Sequence, residues 1–469
     1  MEAIITPTEM RAIDAAAPEP VEVLIERAGL AVARAAVELL GRRYGARVLV
    51  VAGKGLNGAD GRVAARFLQR QGVRCVAVDA ADRPVGVGWA EGFDLVIDAA
   101  YGTGFRGEYE APDVGATLVL AVDIPSGVDG LTGQALGHSV RAAATVTFAA
   151  LKPGLLLHPG RGLAGRVQVA DIGLDTSGTR AWHLGPDDLA ARWPRADATT
   201  HKWRRAVWIV GGGRAMPGAP SLAAAGAARA GAGYVAVSVP GLDAAGPPIP
   251  VEAVLRPVSD SVSGEGWAEE ILAGHERFAA LVIGPGLATD KATGRAVRAV
   301  VAATGDRPLV LDGGAIDAIV ADPSALAGRT VPAVLTPHDG ELSRLLGQRP
   351  GPDRLAVARS VAAALGAVVL SKGPTTVAAH PDGRVLVSTA GDQRLATAGT
   401  GDVLAGVVGA GLAGGLDPLY AAGLGAELHG RAAGRGRAVG FVAGDLPLLV
   451  ADHLASVTAR FVGDDEENR

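Results

Sequence analysis

The chain has 469 residues, 49% apolar and 20% charged, which excludes a disordered chain and leaves material for two or three domains with buried cores. Its net charge of −5 and pI near 6.0 argue against a nucleic-acid partner. A single cysteine, Cys75, excludes a disulfide framework, and the uncharged run between Asp402 and Asp417, which no other exceeds, is Gly-rich and shorter than the roughly 18 residues a membrane span needs, so a soluble cytoplasmic protein is expected.

Apolar residues at helical spacing predict a helix over about 21–41, followed by a strand at Arg47–Ala52 and a helix over about 58–71. Further strands are expected at Arg74–Val78, Leu95–Ala99, Leu118–Ile124, Thr145–Ala149 and Arg166–Ala170. Cys75 is read as a small buried strand residue rather than a nucleophile. Helices alternating with near-continuous apolar strands imply a parallel sheet covered on both faces. Residues 175–205 are rich in turn formers and polar groups, and the domain boundary is placed there, giving domains at 1–195 and 196–462. Alternation then resumes, with strands expected at Ala206–Val210, Tyr234–Val239, Leu281–Ile283, Leu309–Leu311, Ala333–Thr336, Ala367–Ser371 and Arg384–Ser388. The acidic tail, 463–469, is expected to fray. Both halves are read as α/β, each a three-layer αβα unit.

In the first half, Gly53-Lys54-Gly55-Leu56-Asn57-Gly58 matches G-x-G-x-x-G, with Asp79 ending the next strand. By itself this reads as a dinucleotide-binding turn and keeps an NAD-dependent dehydrogenase open, although any tight strand-to-helix turn favours glycine. The turn runs on into Ala59-Asp60-Gly61, where Asp60 is a ligand group or a plain helix cap. Asp98, Asp123 and Ser126 follow later strands. In an open α/β sheet all of these would gather beyond the carboxyl ends of the strands. Oxygen donors there suit a hard cation or a ribose-phosphate ligand, with turn caps as the alternative. Only five lysines occur, Lys54, Lys152, Lys202, Lys291 and Lys372, in a chain that otherwise uses arginine.

The segments 53–61, 98–105, 122–133 and 145–154 resemble the NAD(P)H-hydrate epimerase family over residues 1 to about 175. The resemblance implies a Rossmann-like domain that interconverts the R and S hydrates of NADH and NADPH and binds potassium. By motif position it implies Asn57, Asp98 and Ser126 as the potassium ligands. It implies Asp123 as catalytic, and the hydrate held by Asp123, by Leu56, Asn57, Gly58, Ala59 and Asp60, and by the loop Gly102, Thr103, Gly104, Phe105, Arg106, Gly107 and Glu108. Lys152 would approach the site. Leu56 and Ala59 depart from the family's polar and glycine positions, and Ala59 would carry a methyl group where positive φ is expected.

In the second half, Ala398-Gly399-Thr400-Gly401-Asp402 precedes a helical run. Glycines there let backbone N–H groups face phosphate oxygens, and the helix dipole favours the negative charge. Asp402 can act as a base on a hydroxyl or cap the helix. The segments 201–202, 211–219, 284–287, 336–341, 372–376 and 398–402 together resemble the ribokinase-like superfamily, and within it the nucleotide-dependent NAD(P)H-hydrate dehydratases, over about 200–460. Asp312-Gly313-Gly314-Ala315 departs from that family, which carries a second acid at the position of Gly314.

The order epimerase then dehydratase resembles the bifunctional NAD(P)H-hydrate repair enzymes of bacteria. The resemblance implies phosphorylation of the hydrate's hydroxyl followed by loss of phosphate, with Asp402 as the base and ADP as co-substrate, giving AMP. Gly399, Thr400 and Gly401 would cradle the transferring group. Lys372, Gly373, Pro374, Thr375 and Thr376 would contact the nucleotide, and magnesium would bridge its phosphates. Ala219, Gly286, His338 and Asp402 would hold the hydrate. The substrates are small molecules, and a homo-oligomer is compatible with the sequence. A sugar or vitamin kinase, and an active dehydratase carrying a non-catalytic first domain, stay open as alternatives.

Overall fold

The computed structural model describes residues 1–82, 89–241, 249–259 and 265–467. It divides into two compact units, Glu2–Trp182 and His183–Arg469, with Met1 joining the second. The division falls before the boundary expected at 195, for a packing reason. Leu184 N–H donates to the Val387 carbonyl at 2.9 Å, Trp193 Nε1 donates to the Ala230 carbonyl at 3.1 Å, and Arg205 donates to the Pro194 carbonyl at 3.0 Å. Residues 183–195 therefore belong to the second unit.

The first unit is built on a sheet of six parallel strands, β1 (Arg47–Ala52), β2 (Arg74–Asp79), β3 (Leu95–Ala99), β4 (Leu118–Val122), β5 (Ala144–Phe148) and β6 (Arg166–Ala170), in the order β2-β1-β3-β4-β5-β6. β2 is an edge strand. Val76 there is 49% exposed and Cys75 is half-buried, not fully buried as the apolar run suggested. Burial still raises the Cys75 thiol to about 11, which leaves it protonated and unreactive. β4 stops two residues short of the expected end because Asp123 takes φ 65°, and β5 stops at Phe148 because Ala149 takes φ 62°; left-handed backbone cannot extend a strand.

Helix α1 (Pro7–Ala15) is closed by a capping box between Thr6 and Glu9. Helix α2 (Val21–Leu40) buries Leu24, Ala28, Val32 and Ala36 at helical spacing and ends on Gly41 in the left-handed region. Helix α3 (Leu56–Arg70) begins two residues earlier than expected, capped by Gly55 with no side-chain bond. Leu56 to Ala59 therefore form its first turn. Ala59 is helical, and the expected positive φ is absent there. The glycines serve close approach instead: a Cβ on Gly58 would lie 1.9 Å from the Gly53 oxygen, and one on Gly53 would lie 2.0 Å from the Ala100 oxygen.

The second unit continues with β7 (Ala206–Val210), β8 (Tyr234–Ser238), β9 (Val254–Leu255), β10 (Ala280–Ile283), β11 (Leu309–Leu311), β12 (Val334–Leu335), β13 (Val368–Ser371), β14 (Thr376–Ala379) and β15 (Val385–Ser388). Their order is β15-β14-β13-β12-β11-β10-β7-β8-β9. From β13 through β9 neighbours are parallel, whereas β14 runs antiparallel to both β13 and β15. β14 lies outside the expected strands: Thr376, expected as the end of a loop, is its first residue. The helix Thr400–Ala413 is buried almost along its whole length. A Cβ on Gly406 would lie 1.9 Å from the Ala223 oxygen in helix Ala219–Arg229, so the two helices meet backbone to backbone. The final helix runs Leu446–Glu467, and the last two residues of the tail expected to fray lie outside the described residues. Among the described residues no helix is long and apolar enough to cross a membrane.

Candidate functional sites

In the first unit the strand order reverses between β1 and β3, which opens a crevice beyond the carboxyl ends of the strands. A cavity of about 800 Å³ lies along that edge, from Asp79 at the end of β2 to Lys152 after β5. Leu56, Asn57, Asp60, Gly102, Thr103, Gly104, Phe105, Arg106 and Asp123 line it. Gly58 shapes the turn beneath by the close approach described above; Ala59, Asp98, Gly107, Glu108 and Ser126 do not line the cavity, and Ser126 Oγ accepts the N–H of the lining residue Tyr101 at 2.9 Å.

Lys152 is 1% exposed and lies 2.8 Å from Asp123 Oδ1. Its ammonium also donates to Thr147 Oγ1 and the Phe148 carbonyl, each at 2.9 Å, and the Thr147 hydroxyl donates to Asp123 Oδ1 at 3.1 Å. Three acceptors thus satisfy a fully buried cation. Asp60 is 7% exposed. Burial first, then the Asp123 and Asp14 carboxylates, push it up to about 8. Asp14, from α1, is raised mainly by burial. At neutral pH the cavity holds a carboxylic acid, Asp60, near the Asp123–Lys152 pair. Asp60 sits inside α3 behind the Gly55 cap, so it does not act as the helix cap.

Both polar atoms of the Asn57 amide are buried without a hydrogen-bond partner. A Cβ on Gly102 would lie 3.3 Å from Asp123 Oδ2 and 3.4 Å from Asn57 Oδ1, which places the three residues side by side. Asp98 is 3% exposed. It accepts the Ser126 N–H at 2.8 Å and the Ser126 hydroxyl at 2.7 Å, so it also holds a turn, the plainer role open to an aspartate at a strand end.

In the second unit Lys372, at the end of β13, pairs with Asp312 at 2.9 Å, and the Thr336 hydroxyl donates to the same carboxylate at 2.6 Å. Asp402 is pushed up to about 7 by burial first and by the Asp312 charge, against the pull of Lys372. Burial also raises Glu341, with Lys372 opposing. Gly399 caps the helix in the left-handed region at φ 92°, so the cap is not Asp402. The Thr400 N–H bonds the Thr397 carbonyl at 3.3 Å, while the N–H groups of Gly401 and Asp402 meet no acceptor among the described residues. A Cβ on Gly401 would lie 3.4 Å from Lys372 Nζ, which sets the free amides beside the cation.

Gly286, at φ 69°, adjoins Ala219: an added Cβ would lie 2.7 Å from the Ala219 methyl group. A Cβ on Gly284 would lie 1.7 Å from the Asp312 backbone oxygen, so that loop packs against the backbone of the residue whose carboxylate pairs with Lys372. Gly373, Pro374 and Thr375 form the turn between β13 and β14, and Thr375 is buried. His338 caps the helix Asp339–Leu346, its Nδ1 accepting from Gly340 N–H at 3.0 Å; this is the helix-start role its position allowed. The departure at Gly314 has a steric reason, because a Cβ there would lie 2.5 Å from the Leu287 oxygen. Among the described residues no group of three His, Cys, Asp or Glu side chains is arranged to hold a metal.

Residues 207–455 match the family model described as NAD(P)H-hydrate dehydratase, and residues 21–87 and 79–154 match the one described as YjeF-related protein N-terminus. The bifunctional NAD(P)H-hydrate repair enzyme Nnr of Moorella thermoacetica is 37% identical across 92% of this chain and 91% of its own length. The chain belongs to the bifunctional NAD(P)H-hydrate repair enzyme family. The Escherichia coli repair enzyme is 32% identical over 82% of this chain and 80% of its own. Among solved structures, the ADP/ATP-dependent NAD(P)H-hydrate dehydratase of Bacillus subtilis, co-crystallized with ATP/Mg2+, is 31% identical and covers 58% of this chain and 97% of its own, with a TM-score of 0.48.

Within this repair-enzyme chain, several groups at the two sites carry no usable signal in the sequence. Asp14 lies far along the chain from Asp60 and Asp123, in an otherwise ordinary helix. Thr147 is hidden within a strand. Asp312 stands out only through its two glycine neighbours, Gly313 and Gly314, and Thr336 and Glu341 only through His338 between them. The rarity of lysine is a usable signal for Lys152 and Lys372, the two that pair with an aspartate at the sites.

Proposed function

We propose that the first unit interconverts the R and S hydrates of NADH and NADPH, and that the second dehydrates the S hydrate with cleavage of ADP to AMP and phosphate, in the cytoplasm. One observation supports both halves. Each site sets a raised carboxyl near an aspartate–lysine pair: Asp60 near Asp123–Lys152, and Asp402 near Asp312–Lys372. A carboxyl titrating near the working pH is suited to proton transfer.

In the first unit Asp60 would donate a proton to the hydroxyl on the ring's sixth carbon, letting it leave as water with the push of the ring nitrogen. Asp123, its charge held by Lys152, would take the proton from water returning to the other face. In the second unit Asp402 would take the proton of that hydroxyl as it attacks the β-phosphoryl group of ADP. The free amides of Gly401 and Asp402 would face the transferring group, and Lys372 would balance its charge. Phosphate, pushed by the ring nitrogen, then leaves far more easily than hydroxide, and loss of a proton to water from the neighbouring ring carbon restores the double bond. Magnesium on the nucleotide phosphates would neutralise their charge.

Asn57, Asp98 and Ser126 offer oxygen donors only, and the unpartnered Asn57 amide oxygen is the group that fits a hard cation such as potassium. Potassium is expected to raise the melting temperature of the unaltered chain more than lithium does. In Asn57→Ala that difference should vanish, as read by a thermal shift in either chloride. An equal potassium shift in both proteins would remove Asn57 from the ion site.

The deciding assay follows recovery of dihydronicotinamide absorbance from mixed R and S hydrates with ADP, magnesium and potassium. Full, rapid recovery supports both activities. Recovery that stops near the S fraction leaves a dehydratase with a silent first unit. A stable phosphorylated product would favour the kinase reading instead.

A further inference from the structure

The amides after Gly399 can serve phosphoryl transfer only if they are held still, and the structure shows two ties on the residue before them. The Thr400 hydroxyl lies 2.8 Å from the Leu395 carbonyl and 2.9 Å from the Thr397 carbonyl, which fastens the turn from behind. The Thr400 carbonyl oxygen lies 2.9 Å from Nε2 of His429, in the helix Pro418–Ala433. A carbonyl only accepts, so the imidazole donates through Nε2–H. His429 is buried. That burial, aided by Lys372, depresses it to about 4 against the contrary effect of the Thr400 bond, so the ring stays neutral through the physiological range.

In a planar trans peptide, the carbonyl of one residue and the N–H of the next point in opposite directions. Fixing the Thr400 oxygen therefore fixes the Gly401 N–H, one of the two amides without an acceptor. We propose that His429 is a positioning residue for the dehydration: it holds the plane of the Thr400–Gly401 peptide and so aims the Gly401 N–H at the transferring phosphoryl group. His429 does not touch the reacting atoms; it acts through Thr400.

This inference rests on the dehydratase reading. If the unaltered chain dehydrates the hydrate with neither ADP nor ATP, that reading fails and the inference falls with it; once the unaltered chain dehydrates with either nucleotide, the variants test the inference alone. The test compares His429→Leu, which fills the space without a donor, with His429→Gln, whose amide can still donate to Thr400. R-to-S conversion by the first unit of the same chain serves as the internal control. His429→Leu is expected to lower kcat for dehydration about tenfold to a hundredfold, the scale of a misaimed catalytic group. Its KM for ADP should stay within about twofold, because loss confined to kcat marks an interaction made in the transition state. His429→Gln should recover kcat to within about threefold. The proposal is overturned if His429→Leu keeps its kcat, if only KM changes, or if His429→Gln falls as far as His429→Leu. Should His429→Leu lose ADP binding altogether, His429→Asn, too short to reach Thr400, replaces it. Full kcat in His429→Asn would then overturn the proposal, and a loss restored by His429→Gln would support it.

Discussion

Asp402→Asn is expected to lower kcat for dehydration about a thousandfold, within the range for loss of a positioned general base, while R-to-S conversion in the same chain continues unchanged. The substitution alters chemistry and little else. Asparagine has the same shape, and the helix loses no cap, since Gly399 occupies that position. Removing the carboxylate also relieves a like-charge contact with Asp312, so the unit should not be destabilised. The pH dependence gives a second reading. Asp402, raised to about 7, must lose its proton to act as base, so kcat of the unaltered enzyme should rise with pH through that value and level off above it. Asparagine has no such proton, and the residual rate should lack that rise. Steady-state dehydration rates between pH 5.5 and 9, roughly the span over which such a group titrates, check both points. An Asp402→Asn chain that dehydrates at the normal rate would remove Asp402 as the base.

The fold is legible because parallel strands buried on both faces leave apolar runs that need no partner to be recognised. The runs that form β1, β3, β7 and β11 lie where the sequence places them. Sequence and structure part where a tertiary contact overrides local pattern. β14 escapes because its first residue belongs to a motif that also reads as a phosphate loop, and an antiparallel excursion has no signature in a chain of parallel strands. The boundary shifts because residues 183–195 look like a linker by composition, yet Trp193 and Leu184 anchor them to the second unit. Positive φ is expected at Ala59 because the resembled family carries glycine at that position. The glycines that matter, Gly53 and Gly58, are needed for contact distance rather than for φ.

The candidate sites are legible in part for a related reason. Asp123 and Asp402 stand at strand and helix ends, where sequence position alone predicts exposure to a ligand. Their partners do not. Nothing near Lys152, which stands five residues beyond Thr147, shows in sequence that it reaches Asp123 across the end of a neighbouring strand. Nothing near Asp312 shows that it meets Lys372, 60 residues later. Sheet order brings these ends together, and sheet order is a long-range property.

Asp123→Asn is the corresponding test of the first unit. R-to-S conversion should fall about a thousandfold, again the scale of a lost acid–base group, with dehydration of the S hydrate untouched. Position 123 takes φ 65°, and asparagine adopts that region as readily as aspartate, so the backbone should hold. Lys152 loses its ionic partner but keeps the Thr147 hydroxyl and the Phe148 carbonyl as acceptors. The same variant also probes Asp60. In the unaltered chain Asp60 is a proton donor below about 8, so epimerisation should decline as pH rises through that value. Removing the Asp123 charge takes away one of the two carboxylates that raise Asp60, while the larger cause, burial, remains. The Asp60 carboxyl should therefore titrate lower in Asp123→Asn than in the unaltered chain, yet still above an ordinary aspartate. Carbon-13 chemical shifts of the Asp60 side chain across a pH titration read this directly, independently of turnover. An Asp60 titration identical in both proteins would mean that the two carboxyls do not share the cavity electrostatically, and the acid–base pairing would fall with it.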